Sequence, residues 1–405
     1  MRLASAVRLA SGPLVLGLLL VASPCLAGEP ISLFGGHLGL AGEVSGAYGT
    51  EDKGYFNNTG YGDNTLRLFR LDLTAELHAG AHLSALADLR SDNLGHPRSY
   101  ALYLRLRPFR DRAFDVQAGQ IPTVFGAFPR RRYLQENPLI GTPVVYQYLT
   151  SLRYDAVPRN ANELALRRGL GWRVPYPSAP TPTAPGLPVV NGERWDTGVQ
   201  VRLGSEPVQV ALSVTQGSLC HPLFHDDNDG KQLSGRFAWK PSPAFTLGLS
   251  GAYGAYLSRT VTDTLPAGLP RSYEQQVAGL DVEWSYGYWI VRGEAVWSAF
   301  DMPVLGKPEI DSPVKALGLM LEARFKIAPG LYVAARFDNL HFSDIETTTR
   351  GVLPWEAPVV RVETGVGYSL RRDVLLKAVY QYDHRDGGFT QHKANLVAAQ
   401  ALFWF

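Results

Sequence analysis

The sequence predicts an all-β chain: a transmembrane antiparallel up-and-down β-barrel of about 16 strands, with one long loop after strand 5. Three observations carry this expectation. Apolar and polar residues alternate with period two from residue 36 onward, which gives each strand one apolar and one polar face. Charged residues recur in mid-strand on the polar face. Short connections alternate with long ones, the asymmetry expected between periplasmic turns and outer loops.

Composition agrees. Of the 405 residues 45% are hydrophobic and 19% charged, with 41 Gly, 11% aromatics and only 3 Met. Such a chain suits turns and lipid-facing rings better than helices. The formal net charge of +2 argues against a nucleic-acid partner, which asks for a basic excess.

The N-terminus reads as a secretory signal. Arg2 and Arg8 are its positive region, Pro13 to Ala22 its apolar core, and Cys25-Leu26-Ala27 its small-residue cleavage site. Residues 1–27 are therefore expected to be removed and 28–405 to form the barrel. A lipidated Cys25 is the rival reading, and Pro24 directly before it argues against that. The apolar run is about half the ~20 residues that span a bilayer. No later segment reaches the ~18 consecutive apolar residues of a membrane helix. After cleavage Cys220 is the remaining cysteine, so no internal disulfide is expected.

The alternation divides the chain into strands over 36–48, 65–78, 82–91, 98–107, 115–126, 195–204, 208–219, 232–241, 245–257, 274–285, 288–301, 314–327, 331–344, 358–370, 374–385 and 394–405. In Leu83 to Arg90, Leu83, Ala85, Ala87 and Leu89 oppose Ser84, Leu86, Asp88 and Arg90. In Leu317 to Lys326, Leu317, Leu319, Leu321, Ala323 and Phe325 oppose a face with Glu322, Arg324 and Lys326. A soluble sandwich also alternates, but its strands turn after about five or six residues. Short turns fall at Ala79-Gly80-Ala81, Ser205-Glu206-Pro207, Tyr286-Gly287 and Pro329-Gly330, among others. Pro and Gly gather in connections, as ladder hydrogen bonding requires. With an even strand count, both ends of the barrel chain lie on the periplasmic side. Rings at strand ends (Tyr100, Trp239, Phe245, Tyr256, Trp284, Tyr286, Trp289, Trp297, Tyr332, Tyr368, Phe403 and Trp404) read as interface girdles.

Two segments resemble known families. The final strand, Ala394 to Phe405, places Val397, Ala399, Ala401, Phe403 and Phe405 on one face. It resembles the C-terminal signature of outer-membrane barrels, which implies recognition by the barrel-assembly machinery through Phe405. Gly119-Gln120-Ile121-Pro122-Thr123-Val124-Phe125-Gly126 resembles the Gly-Gln and Phe-Gly segment of bacterial porins, including the phosphate-selective group. In that family the segment leads into the constriction loop, and here it directly precedes the longest loop. The lysine ladders of phosphate-selective porins are not present, so phosphate specificity is not carried over. A porin of this size implies a possible homotrimer by analogy.

The long loop, about 127–194, is exceptional in length and such loops are usually functional. It opens with Arg130, Arg131 and Arg132 and adds Arg153, Arg159, Arg167, Arg168, Arg173 and Arg194 against Glu136, Asp155, Glu163 and Glu193. Folded inward, these arginines would constrict the pore and favour anions. Folded outward, they would meet lipopolysaccharide phosphates or stay solvated. The Pro-rich stretch Pro175 to Pro188 is expected to be extended and exposed.

Alternation puts Arg105, Arg107, Arg236, Arg292, Arg324, Arg336, Arg361, Asp88, Glu283, Glu294 and Glu322 on the inner wall as pore-lining candidates. Arg70, Asp72, Glu76, Arg90, Arg202, Asp281, Lys326, Asp338, Glu363, Lys377 and Asp383 join them. A basic side chain on the lipid face would cost ~2–4 kcal/mol at the midplane. Some of these charges are expected only to pair across strands.

The segment Cys220 to Gly230 offers Asp227, Asn228 and Asp229 as calcium-type oxygens, but His225 misplaces the EF-hand spacing and Asn-Asp-Gly turn chemistry explains it equally. No metal or cofactor is assigned. No hydrolase elbow, zincin helix or phosphate-cradling loop is present. His384 beside Asp383 lacks an identifiable serine partner. About eight residues precede the first strand after the cut, too few for a transporter plug. The sequence therefore predicts a non-enzymatic, porin-like outer-membrane channel for small hydrophilic solutes with a weak anion preference. The alternatives are a structural or surface-interaction barrel closed by its loop, and a solute-specific transporter.

Overall fold

The computed structural model describes residues 30–109, 113–130, 133–177, 179–387 and 391–405, with only the backbone of Arg130. The expected signal segment, Arg131 and Arg132 lie outside the described residues.

The alternating stretches form sixteen long antiparallel strands: β1 (Leu38–Gly49), β2 (Phe69–Ala79), β3 (Leu83–Asp92), β4 (Arg98–Leu106), β5 (Phe114–Ile121), β6 (Asp196–Leu203), β7 (Val208–Thr215), β8 (Gln232–Ser242), β9 (Phe245–Ala255), β10 (Glu274–Tyr286), β11 (Trp289–Phe300), β12 (Val314–Ala328), β13 (Leu331–Phe342), β14 (Val359–Arg371), β15 (Val374–Arg385) and β16 (Lys393–Trp404). Each pairs with its sequence neighbours. β16 also pairs with β1, from Glu43↔Trp404 to Gly49↔Ala398, and this closes the barrel. A short N-terminal strand, Ile31–Leu33, pairs with Leu38 to Leu40, extending the seam past the end of β16. Closure leaves no sheet edge, the condition for a sheet in lipid.

All sixteen expected strands are present, with shifts at their ends. β2 begins at Phe69 because Asn64 accepts from the Leu66 amide at 3.0 Å and holds Thr65–Arg67 as a 3-10 turn. β5 stops at Ile121 because Pro122 has no amide hydrogen to donate. A hairpin of Asp344–Thr347 with Gly351–Pro354, not anticipated, stands on the long loop after β13.

The two faces separate as alternation requires. Leu73, Leu89, Leu104, Leu212, Leu249, Leu319 and Val397 point outward and are exposed. Asp72, Asp88, Gln117, Arg236, Glu322 and Asp383 point inward and are buried. Trp239, Trp284, Tyr286, Trp289 and Tyr368 lie outward near the short turns, and Trp297 toward the opposite end. Four expected girdle rings do not belong to that set, among them Trp404, which stands opposite inward-facing Glu43 in the ladder. Tyr100 is buried under the Arg90 guanidinium at 3.8 Å. Tyr256 is buried against Phe300. The Tyr332 hydroxyl donates inward to the Pro138 carbonyl at 3.0 Å. Ring type alone does not reveal parity, and these four sit on the inward phase of the pleat.

The main apolar core lies inside the barrel. Phe125, Leu139, Ile140, Val144, Val145 and Tyr146 of the long loop pack with Val296, Ala316, Ala334 and Val379 of the inner wall. The wall offers small inward residues where the loop lies against it.

Candidate functional site

The approach to the long loop explains the Gly-Gln and Phe-Gly segment. Gly119 has φ +130, and a Cβ there would stand 2.3 Å from the Leu102 carbonyl oxygen. Gly126 has φ +59, and its Cβ would meet Glu294 Oε1 at 2.3 Å and the Tyr146 hydroxyl at 2.4 Å. Only glycine fits both positions. At Gly126 the chain turns off the wall and passes over Glu294.

From there the loop crosses the lumen and is held by a wall residue at nearly every step. Arg236 of β8 donates to the Gly126 carbonyl at 2.9 Å, and Ser250 of β9 accepts from the Gly126 amide at 3.0 Å. Glu294 of β11 accepts from the Ala127 amide at 3.1 Å and from Tyr146 Oη at 2.5 Å. Tyr133 reaches Thr74 of β2 at 3.1 Å. Glu43 of β1 accepts from the Leu134 and Gln135 amides at 3.1 and 3.2 Å. Lys377 of β15 donates to the carbonyls of Leu134, Asn137 and Leu139 at 2.6, 2.7 and 3.1 Å. Arg361 of β14 donates to the Thr142 carbonyl at 3.1 Å, and Asp338 of β13 accepts from the Val144 amide at 3.3 Å. Buried irregular backbone needs such partners, because its polar groups have no water.

Two groups stand out among the inward charges. On β10 to β15 they form a cross-strand ladder of alternating sign. Arg292 lies 2.6 Å from Glu283 and 3.1 Å from Glu322; Arg336 lies 3.4 Å from Glu322, 3.2 Å from Asp338 and 2.6 Å from Glu363; Arg361 lies 2.6 Å from Asp383. Strand register sets this ladder, since Glu283↔Arg292, Arg292↔Glu322, Glu322↔Arg336 and Arg336↔Glu363 are direct partners. Glu322, Arg336 and Arg361 are each 1% exposed, and Arg336 and Arg361 also hold the loop. Arg236 is similarly occupied, with both terminal guanidinium nitrogens on Asp281 at 2.6 and 2.7 Å. Asp88 is buried and accepts from Thr74 at 3.3 Å. Sequence alternation placed all of these inward but could not tell a charge beneath the loop from one facing open space.

The second group lies on β4 to β6 near the short turns. Arg105 and Arg107 stand 3.2 and 3.3 Å from the same oxygen of Asp115, and Arg202 faces Asp115 in the ladder of β5 and β6. Two guanidinium groups share one carboxylate, and a third stands opposite it in the ladder. They border cavities of about 240 Å³, beside Arg105, Arg107 and Glu76, and about 180 Å³, beside Arg107, Arg202 and Arg236. A larger space of about 540 Å³ is lined by Glu136, Arg236, Lys240, Glu283, Arg292 and Arg324 among others. Asp115 and Glu43 were missed from sequence. Both occupy the inward phase of their strands, and that phase was the signal.

The remaining loop arginines are largely structural. Arg153 pairs with Asp155 at 2.7 Å and donates to the Val174 and Thr181 carbonyls. Arg167 pairs with Glu163 at 2.9 Å. Glu356, buried and pushed above the usual carboxylate range by that burial, accepts from the Ser151, Gly169 and Ala357 amides and ties the loop to the segment before β14. The Pro-rich stretch is exposed at Pro177 and over 180–183; Tyr176 and Leu187 are buried, because Val174–Pro175 pairs with Thr183–Ala184 and folds the segment back. In the 220–230 loop, Asp226 pairs with Lys231 at 2.6 Å and Asp229 with Arg259 at 2.7 Å. Among the described residues no three His, Cys, Asp or Glu side chains gather as a metal site. Asp383 faces inward to Arg361, so its chain neighbour His384 lies on the opposite face of β15.

A closed sixteen-stranded antiparallel barrel with an apolar outer face, a charged inner wall and one inward-folded loop defines the outer-membrane β-barrel class. No family profile matches the chain, and no curated protein matches it in sequence. Solved structures match it in shape. The outer membrane channel DcaP of Acinetobacter baumannii aligns with TM-score 0.55 at 11% identity, covering 93% of this chain and 100% of that one. An anion-selective porin from Comamonas acidovorans aligns with TM-score 0.54 at 12% identity, over 91% and 99%. A loop-deletion mutant of OmpT, an outer membrane protein of Vibrio cholerae, aligns with TM-score 0.54 at 11% identity, over 91% and 99%. At these identities the likeness shows a porin-like fold.

Proposed function

We propose that the chain is an outer-membrane channel through which small hydrophilic solutes diffuse passively, with a weak preference for anions. No covalent chemistry is involved. The observation that carries this reading is the unequal use of charge on the two walls. On β12 to β15 Glu322, Arg336, Glu363, Arg361 and Asp383 are paired and buried beneath the loop. On β4 to β6 Arg105 and Arg107 share Asp115, with Arg202 opposite it, beside open cavities. A net positive wall in a low-dielectric lumen concentrates anions. The loop acts as the constriction, with Arg130, Arg131 and Arg132 at its entry. The chain is exported by cleavage after Ala27, and Phe405 is presented to the assembly machinery. Its long loops meet lipopolysaccharide, and three copies associate through their lipid faces.

The test is conductance of the purified protein in a planar bilayer, followed by the reversal potential in a salt gradient. Open-channel current with an anion-selective sign is expected. A cation-selective sign ends the anion reading. A second reading has an observation of its own: residues 137–152 are almost wholly buried and bonded to the wall. If no current appears, the loop seals the lumen and the barrel serves as a structural or surface-interaction protein.

A further inference from the structure

At the long-loop end of the barrel, four chain segments converge on a cavity of about 290 Å³. Tyr61 comes from the loop after β1, Arg98 from the start of β4, Arg194 and Trp195 from the return of the long loop, and Phe224 from the loop after β7. We propose that this cavity is a recognition site for an organic carboxylate carrying a flat apolar body, of which a benzoate-type anion is the simplest form.

The charge needed is supplied by two cations with unused donors. The guanidinium carbons of Arg98 and Arg194 lie 3.8 and 4.3 Å from the Tyr61 ring centroid. Stacking on a ring fixes a guanidinium while leaving its in-plane N–H groups for another partner. Arg98 has one ion pair, a long 3.9 Å contact with Asp63, and its Nη1 is buried without a hydrogen bond. Arg194 makes no hydrogen bond or ion pair among the described residues beyond this stacking. A buried donor without an acceptor is costly, so a site of this kind gains from a ligand that brings one.

The other polar groups of the cavity are already satisfied. Asp92 receives Arg70 on both oxygens at 2.7 and 3.1 Å. Glu193 receives Arg70 at 3.0 Å and lies 3.7 Å from Arg90. Gln120 donates to the Ser99 and Trp195 carbonyls and accepts from the Ser99 hydroxyl at 2.7 Å. The cavity therefore has donors to spare and few free acceptors. That excludes a cationic ligand and favours an anion.

The apolar half defines the rest of the ligand. Phe224, 52% exposed, stands at the mouth with Pro222, and the Tyr100–Trp195 ring pair, 4.9 Å between centroids, closes the inner side. A small inorganic anion would use the arginines and leave these rings uncovered. A ring with a carboxylate uses both.

Isothermal titration of the full mature chain in detergent with sodium benzoate, sodium acetate and benzamide tests this. Saturable binding of benzoate at least about tenfold tighter than acetate and benzamide is expected, with a further loss of about tenfold in R98Q and in R194Q. The retained shift between heated and unheated gel mobility identifies folded variants. Should either arginine variant fail that control, F224A at an exposed position decides, by bringing benzoate affinity down to that of acetate. Equal binding of benzoate and acetate, no saturable heat, or unchanged affinity in folded R98Q and R194Q overturns the proposal. Calorimetry needs no current, so failure here is distinct from failure of the channel reading.

Discussion

Arg336 holds Gly141: one nitrogen, Nη2, reaches the Gly141 carbonyl at 2.7 Å and the Glu363 carboxylate at 2.6 Å, while the Gly141 amide donates to the other Glu363 oxygen at 2.8 Å. The wall ladder and the loop thus share the same atoms. Removing one partner leaves a charge buried without compensation, which typically costs about 3–5 kcal/mol.

Arg336→Met is therefore expected to destabilise the barrel by about 3–5 kcal/mol in urea unfolding. It should also release the 137–152 segment to protease. If the loop is the constriction, single-channel conductance rises in the same variant. A variant with wild-type stability and an uncut loop would refute this account of the anchor.

Lys377→Met probes the same segment from the other side. Its ammonium group caps three carbonyls, and methionine fills the stem's volume without supplying a donor. A cost of about 3 kcal/mol is expected from the unpaired carbonyls, each worth ~1–3 kcal/mol with partial relaxation. Hydrogen exchange at the amides of residues 134–139 should rise while that of β15 stays protected. Uniform loss across the barrel would mean that Lys377 stabilises the wall and not the loop.

These anchors show what the sequence could and could not express. Period-two alternation is a local signal, so all sixteen strands and the inward phase of Arg336, Glu322 and Lys377 were legible. The length of residues 127–194 and the resemblance of residues 119–126 to the porin segment marked the loop as functional but left its inward and outward placements open. What no local pattern carries is which inward charge lies beneath that loop. That depends on contacts such as Arg336 with Gly141, 195 residues apart in the chain. Tyr100 and Tyr256 were misplaced for a related reason: a ring suits either side of a strand end, and only its phase and neighbours decide.

Asp115 offsets part of the positive charge of the open wall. Replacing it with asparagine leaves Arg105 and Arg107 without their shared counter-charge, and Arg202 without the carboxylate opposite it. A unit charge about 8 Å from a passing ion in water is worth ~0.5 kcal/mol, of opposite sign for an anion and a cation, so about a factor of two for each ion and about fivefold in their ratio. Asp115→Asn should therefore raise the chloride-to-potassium ratio about fivefold by reversal potential, and Arg202→Gln should lower it by a similar factor. Combined alanine replacement of Arg130, Arg131 and Arg132 should lower it further if that segment borders the ion path. Three unchanged potentials would place the path elsewhere.

His221 gives the outer loops a pH dependence. Its ring stacks on Tyr154 with centroids 4.0 Å apart and planes 14° apart, and its Nε2 is buried without a partner. Burial, with the nearby Arg194 adding to it, pushes the imidazole pKa down to about 3. The unfolded loop takes up a proton near pH 6.5, whereas the packed loop resists until about pH 3. The local stability is thus complete above about pH 6.5 and falls by ~1.4 kcal/mol per pH unit below it. Hydrogen exchange of residues 217–224, corrected for intrinsic rates, should show protection declining from pH 7 to pH 5. His221→Gln should flatten that slope, because glutamine has no proton to gain. A slope that persists in this variant would assign the dependence to another group, and a wild-type profile without slope would mean that the stack opens independently of the imidazole charge.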